Sequence, residues 1–154
     1  MRKINRIVIH CSAARPKGAE TQTAKDIDAM HRRDRGWKKI GYHYFIRHNG
    51  AVEKGRAEDE VGAGVFGFNP NSIHICYAGG LDADGKPADT RTLYQKASMV
   101  RVVLGLVHKY KGAKVMGHRD LSPDKDGDGK VEEHEWLKEC PCFSVEDWMI
   151  EVGI

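Results

Sequence analysis

The sequence predicts a single α/β domain over residues 1–154, with a central mixed β-sheet flanked by helices. Three observations carry that expectation. Short apolar runs at 4–10, 72–77 and 115–116 have the composition of buried strands, because a strand covered on both faces needs no polar alternation. Segments at 23–36 and 92–112 show helical periodicity between recognisable start and stop signals. The stretch 41–54 alternates around a His-Asn-Gly turn, as a hairpin does. Strands alternating with helices, with one hairpin added, form layered α/β domains, and ligands of such folds collect at strand ends.

Along the chain, Ile7, Val8 and Ile9 run together and polar residues begin directly afterwards, which sets His10 at the end of the first strand. Residues 13–21 are small, polar and Gly/Pro-containing, a surface loop. Thr23 and Asp26 make a capping pair for the first helix. Ile27, Met30 and His31 share one of its faces, so His31 points inward or toward a groove, and Gly36 stops the helix. Tyr42, Tyr44 and Ile46 alternate with His43, Phe45 and Arg47 ahead of the turn at 48–50. Residues 55–71, rich in glycine and acids, read as an irregular wall of a site. Thr92-x-x-Gln95 is a capping box for the longest helix. Its expected inward face is Leu93, Ala97, Val100, Leu104, Val107 and Tyr110. Val115 and Met116 form a last short strand delivering His118, and Ser144 with Asp147 caps a terminal helix.

Composition excludes several classes. A chain of 154 residues can bury most of its surface without disulfides or a metal staple. The net charge of +3 is spread along the chain and leaves no footprint for nucleic acid. No apolar run approaches the ~18 residues of a membrane span. The first ten residues lack the apolar core and cleavage site of a secretory signal. The expectation is a chain made in the cytoplasm, where its four cysteines are metal ligands or free thiols rather than disulfides.

Residues 117–143 mix hard and soft ligand types, which points to two ions of different character. Asp124, Asp126 and Asp128, then Gly129, Lys130 (through its carbonyl) and Glu135, occupy the diagnostic positions of a twelve-residue calcium loop. Pro123 precludes a long entering helix, and the bland reading is a solvated acidic turn. His10 and His118 both follow strands, and Cys140 lies in a Pro-bounded loop. Two imidazoles and a thiolate with an open fourth position would make a catalytic zinc site. A strand-end histidine is more often a surface or satisfied core residue, however, and spacing alone leaves both readings open.

Six ordered motifs decide more. They are Ile9-His10-Cys11-Ser12-Ala13, Ile40-Gly41-Tyr42-His43-Tyr44, Asn71-Ser72-Ile73, Gly79-Gly80, Gly117-His118-Arg119-Asp120 and Lys138-x-Cys140-Pro141. Together they resemble the N-acetylmuramoyl-L-alanine amidases of the phage-lysozyme type, relatives of the peptidoglycan recognition proteins, over nearly the whole chain. The resemblance implies zinc ligands at His10, His118 and Cys140, a catalytic tyrosine at Tyr42 and a catalytic lysine at Lys138. It implies a peptidoglycan substrate cleaved between N-acetylmuramic acid and L-alanine, by a monomer acting on the wall after release. Zinc would supply nucleophile and Lewis acid, Lys138 would stabilise the oxyanion and Tyr42 would orient water or relay a proton. Cytoplasmic recycling relatives carry an aspartate ligand and a glutamate instead, so Cys140 and Tyr42 match the lytic branch.

By the same resemblance His31, Arg35 and Asn69 match muropeptide contacts. Two departures stand out: Gly64 occupies the histidine position of a Val-Gly-x-His motif, and Cys142 replaces a serine. The rival expectations are a non-catalytic peptidoglycan-binding module, which would commonly lack the thiolate, and a calcium-binding interaction protein.

Overall fold

The computed structural model describes residues 1–154. Its sheet is built from β1 (Arg6–Cys11), β2 (Tyr44–Ile46), β3 (Val52–Lys54), β4 (Ser72–Tyr77) and β5 (Lys114–Gly117), in the order β3-β2-β4-β1-β5. β1 pairs in parallel with both β4 and β5, β2 pairs in parallel with β4, and the β2/β3 hairpin is antiparallel. This is the mixed α/β sheet the sequence predicts. β1 and β4 occupy the middle because their side chains can be buried on both faces. Ile7, Ile9, Ile73 and Ile75 are 0% exposed, each contributing about 1.5–3 kcal/mol of burial.

The helices are α1 (Pro16–Ala19), α2 (Ala24–Arg35), α3 (Leu93–Lys109) and α4 (Val145–Val152). α1 is one turn inside the stretch expected to be loop. α2 starts at a reciprocal capping box between Thr23 and Asp26 and ends at Gly36, whose φ of 67° suits a residue without a Cβ. On one side of the sheet Met99, Val103 and Leu106 of α3 and Val145 and Trp148 of α4 cover the isoleucines. On the other, Ile27 of α2 packs with Ile40, Phe45 and Cys76. No helix is long and apolar enough to cross a membrane.

The inward face of α3 differs in part from the expected one, although Val100, Val107 and Tyr110 do pack against the core. Leu93 is 81% and Leu104 49% exposed, while Gln95, Ser98, Met99, Val103 and Leu106 are buried. Valines and leucines surround this helix, so apolarity does not choose a face. Polar anchoring does: the Gln95 carboxamide donates to the carbonyls of Ile46 and Ala78, and the Ser98 hydroxyl donates to that of Gly50. The Ile46 carbonyl also accepts the Ala78 N–H, but the carbonyls of Ala78 and Gly50 would otherwise lack partners.

Candidate active site

Strand alternation decides which histidines meet. Ile7, Ile9 and Cys11 of β1 and Ile73, Ile75 and Tyr77 of β4 face the α3/α4 side. His10, His74 and Cys76 therefore face α2. Because β1, β4 and β5 are parallel, their C-terminal ends lie together, and His118 follows β5 directly in a 3₁₀ turn at His118–Leu121. The backbone N–H of Arg119 donates to the Cys140 carbonyl at 2.9 Å, and the N–H of Cys11 donates to the Cys140 sulfur at 3.3 Å. The loop carrying Cys140 is thus tied to both strands that carry the histidines. A third tie runs from the Tyr77 hydroxyl to the Pro141 carbonyl at 2.7 Å.

The result is a cluster at the bottom of a cleft. His10 is fully buried, with its Nδ1 3.2 Å from Nδ1 of His118 and 4.0 Å from Sγ of Cys140. All three donor atoms lie within 4.8 Å of one another. Two nitrogens at tetrahedral zinc-bond lengths stand about 3.3 Å apart, so the imidazole pair fits such an ion as it stands, with the sulfur slightly wide. Two imidazoles and a thiol without a carboxylate also suit zinc better than a hard cation. Burial and the nearby Lys138 cation push His118 down to about 4, and burial with neighbouring histidines holds His10 well below its ordinary value. Both rings are therefore neutral near pH 7, with lone pairs available to a metal.

The cleft above the cluster has a volume of about 320 Å³, and Tyr42, Lys138, His118 and Cys140 line it. The Tyr42 ring is 5.0 Å from that of His10, and burial pushes its phenol well above its ordinary value, so the hydroxyl stays protonated. Lys138 is exposed at the rim.

The sequence profile of the N-acetylmuramoyl-L-alanine amidases matches residues 1–135. The chain belongs to this family. The endolysin of Klebsiella phage KP32 is 34% identical over 144 residues, covering 94% of this amidase and 84% of the relative. The endolysin of Escherichia phage T7 is 34% identical over 142 residues, covering 92% and 83% respectively. Among solved structures, the N-acetylmuramoyl-L-alanine amidase LysC from Clostridium intestinale superposes with a TM-score of 0.74 at 26% identity, over 99% of this chain and 87% of that one. The profile ends before Lys138 and Cys140, so those two positions rest on geometry.

Other residues singled out in the sequence surround the same cleft of the amidase. It opens into a second hollow of about 560 Å³ that shares Arg35, Gly64, His118 and Lys138 and adds Phe66 and Asn69. His31 is 6% exposed at the edge of the first cleft; its Nδ1 accepts the Gly41 N–H at 3.0 Å, and its ring meets those of Trp37 and Tyr42. Arg35 lies over the Trp37 ring at 5.4 Å. The Asn69 side-chain oxygen is turned inward, accepting the N–H groups of Gly64 and Val65. Cys142 stands apart from the cluster, its sulfur 3.8 Å from that of Cys11, and all four cysteines are free.

Beside Gly64 lies a buried imidazole that the sequence reading overlooked, at His74. A Cβ at Gly64 would fall 2.4 Å from Nδ1 of His74, so the His74 ring already fills that space. Its signal was a lone histidine in an otherwise apolar strand. His43 is buried beside it, accepting the His74 backbone N–H at 2.9 Å.

In the acidic loop, carboxylates of Asp124, Asp126 and Glu135 gather within 4.8 Å. Glu135 is 1% exposed and accepts the N–H groups of Lys125, Asp126 and Glu132, while Asp124 accepts those of Gly127 and Gly129. Asp128 lies outside the group, its carboxylate accepting the N–H of Lys130.

Proposed function

We propose that the chain is a zinc-dependent hydrolase of phage or prophage lysin type, cleaving the amide between N-acetylmuramic acid and L-alanine in peptidoglycan. The observation that carries this reading is the His10, His118 and Cys140 cluster, with His118 and Cys140 lining an open cleft and His10 buried beside them, on a chain of the amidase family. The similarity to phage endolysins supports a cell-wall substrate reached after release.

His10, His118 and Cys140 would hold the zinc. When bound, zinc supplies a Lewis acid and makes water nucleophilic near neutral pH. The exposed Lys138 ammonium at the rim is available to the oxygen that becomes negative as the carbonyl is attacked. Tyr42, kept protonated by burial, acts as a hydrogen-bond donor that orients water or the carbonyl, and it is not a base at pH 7. His31, Arg35 and the carboxamide NH₂ of Asn69, whose oxygen is engaged inward, are the proposed contacts for the glycan and stem peptide along the continuous groove. A non-catalytic binding module would need neither a thiol among the imidazoles nor an ammonium beside them.

Within the same reading, residues 124–135 would hold a calcium ion through Asp124, Asp126 and Glu135, which are gathered as they stand; Asp128, outside that group, and the Lys130 carbonyl would complete the set by closing on the ion. The gathering of Asp124, Asp126 and Glu135 supports it. The ion would shorten the connection between His118 and Lys138, which is a structural role.

The test is metal analysis of the purified chain together with release of L-alanine amino groups from peptidoglycan. Stripping zinc should abolish release and zinc add-back should restore it, and Cys140→Ser should remove both metal and activity. Full activity in Cys140→Ser would refute the zinc mechanism. Calcium removal should lower Tm and activity while zinc stays bound; a Glu135→Gln variant matching the parent with and without chelator would refute the calcium site.

A further inference from the structure

Behind the cluster lies a chain of hydrogen bonds that the chemistry above does not use. His10 Nε2 is 2.9 Å from His74 Nδ1, and His74 Nε2 is 2.9 Å from Asn69 Oδ1. His74 is fully buried and sits outside the cleft lining. Each proton in this chain can be placed without appeal to the metal. Asn69 Oδ1 accepts two backbone N–H groups, Gly64 at 3.0 Å and Val65 at 2.9 Å. An amide NH₂ could accept neither, so the atom is the carboxamide oxygen.

Because that atom is an acceptor, His74 Nε2 must carry the proton. The other nitrogen of a neutral His74 then accepts, and His10 Nε2 must be the donor. His10 is left with an unprotonated Nδ1, which is the atom facing His118 Nδ1 and Cys140 Sγ. We infer that His74 and Asn69 are positioning residues for the amidase: a His10–His74–Asn69 relay fixes His10 in its Nε2–H tautomer and aims the Nδ1 lone pair at the metal site. This rests on the zinc reading above for its consequence, though not for the tautomer itself.

The surrounding backbone holds the relay in register. Cβ atoms at Gly62 and Gly64 would lie 2.7 and 2.4 Å from the nearest atoms of the His43 and His74 rings, so the 61–65 loop rests directly on the imidazoles. His43 accepts the His74 N–H through Nδ1, which leaves its own Nε2–H to donate to the Glu60 carbonyl at 2.9 Å. The loop reaches the buried histidines through Asn69 and Glu60 at two points. Partners of this kind, behind metal-binding histidines, typically contribute 10–100-fold in metal affinity.

The tautomers are read in the metal-free full chain labelled with ¹⁵N-histidine, by long-range ¹H–¹⁵N correlation. His10 and His74 should both appear protonated at Nε2 and bare at Nδ1. Asn69→Leu should remove the His74 Nε2–H preference. His74→Phe keeps a ring and removes the acceptor; it should bind zinc about 10–100-fold more weakly in competition with a chromophoric chelator. A parent His10 protonated at Nδ1 would overturn the inference, as would His74→Phe binding zinc as tightly as the parent. Should a variant fail to fold, the parent spectrum alone decides the tautomer. A parent with the expected tautomers that bound no zinc would sink the zinc reading and leave the relay standing.

Discussion

Glu58 offers a test of how the site-forming loop is held. Its carboxylate accepts from Lys109 at 2.6 Å and from the hydroxyls of Tyr110 and Tyr44, tying the irregular 55–71 segment to α3 and β2. Burial works against its charge, yet the three hydrogen bonds prevail and hold its pKa at about 2, against an ordinary 4.5. A carboxyl lowered that far represents at most about 3 kcal/mol of differential stabilisation. The side chain is 20% exposed and Lys109 is 53% exposed, so screening reduces this to about 1–2 kcal/mol. Because the folded pKa is depressed, this stability is fully present above pH 4.5 and is lost as pH falls toward 2. Urea unfolding of the parent and of Glu58→Gln should therefore differ by about 1–2 kcal/mol at pH 7, with the gap narrowing below pH 4.5 and closing only as pH reaches about 2. A gap of the same size at both pH values would refute the reasoning, because it would show that the deficit comes from packing rather than charge.

Tyr77→Phe removes the hydroxyl that satisfies the buried Pro141 carbonyl and should cost about 1–3 kcal/mol in chemical denaturation, with weaker zinc binding because Cys140 is adjacent. Gln95→Met should cost about 1–3 kcal/mol by orphaning the Ala78 carbonyl, whereas Leu93→Ala, 81% exposed, should fall within about 0.5 kcal/mol of the parent. Gly64→Ala puts a Cβ 2.4 Å from His74 Nδ1 and should cost about 1–3 kcal/mol. In a His74→Gly background the same change should cost less than about 0.5 kcal/mol, and the coupling is read from the double-mutant cycle. Lys138→Ala should lower kcat by about 10²–10³-fold with little change in Tm, as loss of an exposed oxyanion donor does.

Much of the molecule is legible from residue order because the forces involved are local. Unbroken isoleucine and valine runs mark the central strands, and Thr23, Thr92 and Ser144 mark helix starts through caps that the structure contains. Gly36 marks a stop for the same reason. The six motifs identify a family whose fold is mixed α/β, and they name the residues now found around one cleft. Local information fails where apolarity is abundant: on α3, hydrophobic residues on most sides leave the choice of buried face to Gln95 and Ser98, whose partners lie more than forty residues away or across the sheet.

The cluster at 117–143 shows both limits. Sequence alone separated its soft ligands from its acidic loop, because ligand type follows from side-chain chemistry. Only the tertiary structure decided that parallel pairing of β1 with β5 sets His10 3.2 Å from His118, and that Asp128 stands outside the gathered carboxylates. It also decided that the buried ring of His74, ten positions away on another element, packs directly against Gly64. A strand dictates the face on which its side chains emerge, but which strand becomes its neighbour is set by the packing of the whole sheet.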